Sequence, residues 1–151
     1  MPTNIDMVRR IYSDGLFDDD VEGLLALVDP GIEFVNPAEA VESGVRRGPA
    51  AIRAAVRSAR ESFAWSRHEL GGLFGGGDRV VAVVTFRARG HGSGAELSQE
   101  EAHTWTFREG RILRFEWGRD LPSALAAAGL TTADGAPDNR SDAAEGPASE
   151  R

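Results

Sequence analysis

Hydrophobic residues in the first half of the chain recur every three or four positions, which is the spacing of an amphipathic helix. Three helices are predicted from this pattern. Their apolar positions are Ile5, Val8, Ile11 and Tyr12; then Val21, Leu24, Leu25 and Val28; then Ile52, Ala55, Val56, Ala59 and Phe63. Turn-forming residues end the first two helices, and Gly48-Pro49 begins the third. A short strand over residues 32–35 is predicted before the third helix, closed by Asn36-Pro37.

The second half changes to an alternation of apolar and polar residues, which is typical of strands with one buried face. The predicted inward sets are Val80, Ala82, Val84, Phe86 and Ala88; His103, Trp105 and Phe107; and Leu113, Phe115 and Trp117. Glycine-rich turns separate these strands, and a further strand precedes them over residues 68–74. A last short helix is predicted from about Pro122 to Ala128. This order predicts an α+β fold, with one curved antiparallel sheet and helices on one face.

The composition changes after Leu130, near the end of a chain of 151 residues, which is one domain's length. Residues 131–151 contain no Val, Ile, Leu or aromatic side chain, so they bury too little surface to offset the entropy of ordering. We therefore predict one domain over residues 1–130 and a disordered acidic tail over residues 131–151.

Charge and residue usage exclude several kinds of chemistry. The chain has no cysteine, and all 17 of its basic residues are arginine, which excludes thiol and Schiff-base catalysis. A net charge of -7 disfavours nucleic-acid partners, and no apolar run is long enough to span a membrane, so a cytoplasmic protein is expected. The histidines at positions 68, 91 and 103 are scattered, and His68 is predicted on the surface. We therefore expect no metal site and no cofactor.

The order and spacing of several segments resemble the nuclear transport factor 2-like superfamily, in particular its SnoaL-like and ketosteroid isomerase-like members. The segments are VRRIYSDGLFDDDVEGLLALVDPGIEFVNP, RRGPAAIRAAV, HTWTFREGRILRFEWGRD and SALAAAGL, and the resemblance covers roughly residues 3–130. It implies a cone, in which a curved antiparallel or mixed sheet wraps around the three N-terminal helices. It also implies a deep pocket that is open at one end, which suits a small-molecule ligand.

The resemblance makes three polar residues candidates for catalysis. Tyr12 matches a tyrosine that donates to a substrate oxyanion, and Asn36 stands where isomerases place a general-base aspartate. An amide cannot take a proton at neutral pH, so Asn36 is expected only to orient a carbonyl or a water. His103 matches a second oxyanion donor and can also act as a base, with Glu101 on the same strand face as the fallback base. The structural alternatives stay open: a core tyrosine, a turn asparagine and a buried, hydrogen-bonded histidine.

A second group of residues is predicted to bind the ligand. Its members are Phe34, Phe63, Trp65, Trp105, Phe107, Trp117 and Arg119. Arg119 is suited to a carboxylate or a carbonyl, although an ion pair with Asp120 or Glu116 is the alternative. Epoxide hydrolases of the superfamily carry an aspartate at the position of Trp117, so the resemblance does not favour hydrolysis.

Taken together, these residues predict a small-molecule-binding domain that acts as a cofactor-independent isomerase, cyclase or dehydratase on a cyclic or carbonyl-bearing substrate. The alternative is a non-catalytic ligand-binding or dimerisation module of the same fold. Relatives often pair through the outer face of the sheet, so a homodimer is expected. The outward positions that support it are Val81, Val83, Thr85, Thr104, Thr106 and Ile112, which form an unusually apolar set.

Overall fold

A computed structural model describes residues 3–136 of the chain. In chain order the elements are α1 (Asn4–Ser13), α2 (Val21–Leu25), β1 (Val28–Asn36), β2 (Gly44–Arg47), α3 (Pro49–Ser62), β3 (Trp65–Gly76), β4 (Arg79–Arg89), β5 (Glu96–Arg108), β6 (Arg111–Gly118), α4 (Leu121–Ala128) and a 3-10 helix (Thr132–Asp134). None of the helices within the described residues has the length and hydropathy to cross a membrane.

The six strands form one curved, unclosed mixed sheet in the order β2-β1-β6-β5-β4-β3. Only the β1–β6 pair is parallel, and the other neighbours are antiparallel. Helices α1 and α3 pack on the inner face, whereas α4 packs on the outer face over β4 and β5. The α+β fold, with a curved mixed sheet around N-terminal helices and a short C-terminal helix, is therefore confirmed.

Local sequence explains the two longer helices of the inner layer. Thr3 accepts a hydrogen bond from the Asp6 main chain, while the Asp6 side chain accepts one from Thr3, which is a complete capping box for α1. The apolar stripe of α1 then buries Val8 and Ile11 against the sheet. Helix α3 begins at Pro49, where a missing N–H has no cost.

The region between the first and third helices differs from the prediction. Helix α2 ends at Leu25, and Val28 belongs to β1, since it pairs in parallel with Ile112 of β6. This contact is non-local, and it overrides the weak helical periodicity of a five-residue helix. Strand β2 was not predicted, because its residues are mostly exposed and it is held by main-chain pairing with β1 at the sheet edge.

The inward face of β6 is also corrected. The register shifts between Thr106 and Phe107, so that Phe107 pairs with Ile112 while Trp105 pairs with Phe115. Ile112 and Phe115 are both buried in the core, three positions apart, and the predicted inward position Leu113 is not among the buried residues. An irregularity of this kind breaks the strict alternation on which the prediction depended.

The outer face is partly covered by the chain itself. Helix α4 and Leu130 pack with Val81 and Ala102, and Thr104 is only 7% exposed. Two of the residues in the apolar set, Val81 and Thr104, are therefore buried within one chain, and Ile112 faces the core. This weakens the sequence argument for pairing through this face, and the homodimer stays a prediction.

The predicted tail begins with ordered residues. A 3-10 helix follows Thr131, the Ala136 N–H donates to the Leu73 carbonyl at 2.8 Å, and Gly135 forms a bridge with Phe74 of β3. Residues 131–136 thus extend the domain beyond the predicted boundary at residue 130. The rest of the predicted tail lies outside the described residues.

Candidate active site

A cavity of about 570 Å³ opens between the inner face of the sheet and helix α3. This volume lies in the range of small-molecule sites, roughly 300–1,000 Å³. Its walls are mostly apolar, and they include Leu24, Ile52, Val56, Phe86, Ile112 and Phe115. The polar side chains His68, Gln99, Glu101 and His103 lie together on strands β3 and β5. The cavity therefore combines an apolar volume with a group of titratable residues.

His103 is joined to helix α1 by a short hydrogen-bond chain. The Tyr12 hydroxyl lies 2.6 Å from His103 Nδ1, and the Trp105 indole N–H donates to the same hydroxyl oxygen at 3.1 Å. Because the tyrosine oxygen already accepts from Trp105, its proton is directed to Nδ1, so the proton of neutral His103 is on Nε2. Burial raises the pKa of the Tyr12 phenol well above its ordinary value, so the phenol remains a donor.

Glu101 accepts the last hydrogen bond of this series, on the side of His103 away from Tyr12. His103 Nε2 donates to Glu101 Oε1 at 2.8 Å, and the Gln99 amide donates to Oε2 at 2.8 Å. Burial by itself raises the pKa of the Glu101 carboxyl, but the hydrogen bond and charge of His103 outweigh it, with help from Gln99 and His68, and the pKa is lowered. Burial lowers the pKa of His103, although Glu101 opposes this effect. A neutral imidazole therefore donates to an ionised carboxylate at neutral pH.

A second hydrogen-bonded pair lies on the cavity wall. Asp18, in the loop before α2, accepts from the His68 main-chain N–H and pairs with His68 Nδ1, both at 2.7 Å. The Asp18 carboxylate orients the imidazole with its proton on Nδ1, which leaves the lone pair of Nε2 available. Within residues 3–136, Nε2 of His68 makes no hydrogen bond.

The prediction that His68 lies on the surface is wrong. Its side chain is 12% exposed and lines the cavity, whereas Trp65 is 37% exposed, with the Arg67 guanidinium 5.5 Å from the centre of its ring. The two residues do face opposite sides of β3, as their spacing requires. The prediction placed Trp65 on the cavity side and His68 on the outer side, which is the reverse of the observed arrangement. Trp65 does not line the cavity.

The prediction that the histidines are scattered is also wrong for two of them. One donor atom from each of His68, Glu101 and His103 lies within 4.8 Å of the others. His91 lies elsewhere, in the turn before β5, with Nε2 3.1 Å from the Glu61 carbonyl. The three clustered residues are the ones with the donor types that could hold a metal ion.

The other predicted site residues separate into two groups. Those that line the cavity are Phe34, Asn36, Phe63, His103, Trp105, Trp117 and Arg119. Tyr12 and Phe107 do not line it: Tyr12 lies behind His103, and Phe107 is buried in the core. The expectation that Trp105 and Phe107 point inward is confirmed, since each is 2% exposed.

Asn36 makes structural contacts with both ends of its amide. Its Oδ1 accepts from the Trp117 indole N–H at 2.7 Å, and its Nδ2 donates to the Glu42 carbonyl at 2.9 Å. These bonds fix the ring of Trp117 on the cavity wall and join β1 to the loop before β2. The amide therefore holds the wall in place.

Asp18 and Gln99 were missed by sequence reasoning. Gln99 has the same strand parity as Glu101 and His103, so the alternation of β5 contained the signal. Asp18 had no such signal, since its contact with His68 joins residues 50 positions apart.

Comparison with known proteins agrees with the fold. An NTF2-like protein of unknown function from Burkholderia pseudomallei is 24% identical with a TM-score of 0.69, and the match covers 83% of this chain and 97% of that one. TerC, co-crystallised with polyporic acid, is 26% identical with a TM-score of 0.65, covering 78% and 92%. A protein with a ketosteroid isomerase-like fold from Catenulispora acidiphila, in complex with trimethylamine, is 17% identical with a TM-score of 0.65, covering 91% and 100%.

No protein of curated function matches the sequence. The SnoaL-like domain profile matches residues 8–115, which is most of the chain and includes strands β1 to β5 and the first part of β6. The chain therefore belongs to the SnoaL-like domain family.

Proposed function

We propose that the chain is an enzyme that moves protons on a small, largely apolar, carbonyl-bearing substrate, as an isomerase, cyclase or dehydratase does. One observation carries this proposal: an open apolar cavity has the Nε2 lone pair of His68 and the carboxylate of Glu101 on its wall. Both groups are held by buried or partly buried partners, which is the preorganisation that proton transfer requires.

The first step is removal of a proton from the carbon next to the substrate carbonyl. His68 Nε2 accepts this proton. The electron pair of the C–H bond forms a new C=C bond, and the π pair of the carbonyl moves to its oxygen, which gives an enolate. The imidazolium that forms is stabilised by Asp18, bonded to its Nδ1, and by the nearby charge of Glu101. Return of the proton to another carbon gives isomerisation, and its delivery to a departing hydroxyl gives dehydration with loss of water. Attack of the enolate on a second carbonyl gives cyclisation, and the alkoxide that forms takes the proton from the imidazolium.

His103 and Tyr12 act as positioning residues in this scheme. His103 donates to Glu101, and Tyr12 fixes the ring orientation of His103. Both nitrogens of His103 are already bonded within the protein, so the role of base passes to His68 or Glu101. Asn36 has a smaller role, because both ends of its amide are already hydrogen-bonded, to Trp117 and to the Glu42 carbonyl.

The relatives support a ligand in the cavity. TerC was co-crystallised with polyporic acid. The aromatic walls Phe34, Trp105 and Trp117 of the cavity suit a ligand that carries rings. The mouth also carries Arg119, an exposed cation suited to a carboxylate or a carbonyl oxygen.

The rival function is a non-catalytic ligand-binding or dimerisation module. It is favoured by Asn36, whose amide cannot take a proton at neutral pH, and by His103, whose two ring nitrogens are both hydrogen-bonded within the protein. A homodimer through the outer sheet face and a cytoplasmic location are proposed with either function. Analytical sedimentation tests the homodimer at protein concentrations of about 10–50 µM, a range in which weak dimers are populated. A single monomer species at those concentrations would refute the homodimer.

The test of catalysis uses solvent deuterium exchange into a panel of cyclic ketones that carry a C–H bond next to the carbonyl, followed by mass spectrometry. Bound small molecules that co-purify with the protein extend the panel. His68→Gln and Glu101→Gln should each slow exchange by about 100-fold or more, the usual contribution of a positioned acid or base. His91→Gln is the matched control and should exchange at the wild-type rate, since His91 lies outside the cavity.

The positioning roles are tested in the same assay. His103→Ala and Tyr12→Phe should lower kcat by about 100-fold, whereas Asn36→Ala should lower it by less than about 10-fold. If His68→Gln and Glu101→Gln both exchanged at the wild-type rate, the catalytic proposal would be refuted and the non-catalytic binding module would be the better supported function.

A further inference from the structure

We propose that His68, Glu101 and His103 form a binding site for one divalent first-row transition ion of the Zn²⁺ class, at the polar wall of the cavity. This inference goes beyond proton transfer, because it requires no substrate and concerns the affinity of the protein for a metal. Two imidazoles and one carboxylate are a ligand set that Zn²⁺ and its neighbours in the series accept.

The ligand atoms are close to the spacing that one ion requires. Zn²⁺ lies about 2.0–2.2 Å from nitrogen and oxygen ligands, so two tetrahedral donors are separated by roughly 3.4 Å. Glu101 Oε1 and His103 Nε2 are 2.8 Å apart, and the widest separation in the group is 4.8 Å or less. Binding therefore requires the first pair to separate slightly and His68 to approach by at most about 1.4 Å, which side-chain rotation provides.

Each of the three ligands has a partner on the side away from the ion. Asp18 pairs with His68 Nδ1, Tyr12 with His103 Nδ1, and Gln99 with the second oxygen of Glu101. Such second contacts are typical of metal centres. Asp18 leaves the Nε2 lone pair of His68 free, whereas Tyr12 fixes the ring direction of His103 but favours the tautomer with its proton on Nε2. For His103, coordination at Nε2 moves the proton to Nδ1, where the Tyr12 oxygen accepts it.

The charges and the coordination number also fit one bound divalent ion. Glu101 and Asp18 supply two negative charges, which balance a divalent cation when both imidazoles are neutral. Three protein ligands leave the fourth tetrahedral position facing the cavity, as in catalytic rather than structural zinc sites. An exposed group of carboxylates would lack this geometry, whereas His103 and Glu101 are 1% and 7% exposed.

The test is a Co²⁺ titration of the full chain after treatment with a chelator, with the visible d–d absorption of Co²⁺ as the readout. Zn²⁺ affinity is then obtained by competition. The wild type and His91→Gln should bind one equivalent with the intense bands of four-coordinate Co²⁺. His68→Gln and Glu101→Gln should weaken binding by at least about 10-fold, and Asp18→Asn by about 10–100-fold through the outer contact.

Equal Co²⁺ binding by wild type, His68→Gln and Glu101→Gln would overturn the proposal. The absence of stoichiometric binding up to about 1 mM Co²⁺ would also overturn it, because that concentration lies well above the dissociation constants of metal sites in proteins. Far-UV circular dichroism confirms that each variant is folded. His68 is partly buried on the cavity wall, so its variant keeps the proposal testable even where a His103 variant unfolds.

Different results would refute the metal site and the catalytic proposal. A bound ion and a substrate proton compete for the same lone pair of His68, so Zn²⁺ should slow deuterium exchange. Exchange without any metal binding would overturn only the metal site. Metal binding at the three residues with no loss of exchange would instead overturn the assignment of His68 as the proton acceptor.

Discussion

Removing the hydroxyl group of Tyr12 gives the clearest test of the buried network, because it needs no substrate. Tyr12→Phe keeps the ring and its packing against Phe17 and Trp105. What it deletes is the oxygen that accepts from the Trp105 indole and donates to His103 Nδ1. The variant therefore isolates the hydrogen bonds from the apolar contacts of the side chain.

The expected loss follows from two groups left without a partner. His103 is 1% exposed and Trp105 is 2% exposed, so water cannot replace the missing hydroxyl at either one. A buried polar group without a partner costs about 1–3 kcal/mol, and the phenol's own desolvation cost is recovered. The free energy of unfolding should therefore fall by about 2–4 kcal/mol, a large part of the stability of an ordinary domain.

Urea denaturation measures this loss, and an unchanged m-value shows that the unfolding transition is the same. Ser62→Ala is the control: it also deletes a hydroxyl hydrogen bond, to the Ser58 carbonyl at 2.8 Å, but at an exposed helix end. That variant should stay within about 0.5 kcal/mol of the wild type. If Tyr12→Phe were as mild as the control, the hydroxyl would not join the two buried groups.

Three further experiments test the stability of the domain. Trp105→Ala should cost about 3–5 kcal/mol in urea melts, and a loss below about 1 kcal/mol would mean that its face is assigned wrongly. Truncation after Ala136 should leave the free energy of unfolding unchanged. Truncation after Leu130 should lower it by about 1 kcal/mol, because it removes the main-chain hydrogen bond from Ala136 to Leu73 of β3. Equal free energies of unfolding for the two truncated chains would contradict this prediction. Because the pKa of folded His103 is lowered from 6.5, the unfolded chain binds this proton more readily, so the stability of metal-free protein should decrease as the pH falls below about 6.5. His103→Gln should flatten this slope while His91→Gln keeps it, and identical slopes in both would refute the assignment.

The sequence predicted the fold where local patterns and tertiary contacts agree. The stripe of α1 and the alternation of β4 and β5 are each long enough for a single periodicity to dominate, and their predicted buried faces are the observed ones. The errors occur where non-local pairing decides the structure. Strand β2 has only four residues and depends on β1 for its hydrogen bonds, and Val28 joins a strand because β6 lies beside it.

The candidate site was predictable to a different degree for each residue. His103 became a candidate because the family resemblance matches it to an oxyanion donor and because it shares its strand face with Trp105 and Phe107. Glu101 became a candidate because it lies on that same face. His68 was missed because the parity of β3 gives two opposite solutions, and the large apolar ring of Trp65 favoured the wrong one. The Asp18 contact crosses from a loop to a strand, and no local pattern encodes it.

Strand β5 shows how a cavity can be recognised from the alternation of a single strand. Its inward side chains run from Leu97, which is 42% exposed, through Gln99 and Glu101 to His103 and Trp105, which are 1% and 2% exposed. In a closed core every inward position would be apolar, because a buried polar group without a partner is costly. Three successive polar residues on that face are stable only where hydrogen-bond partners and an open volume coincide, and β5 meets both conditions at the cavity. The polar interruption of an otherwise apolar face therefore marks the part of the strand that is available for chemistry.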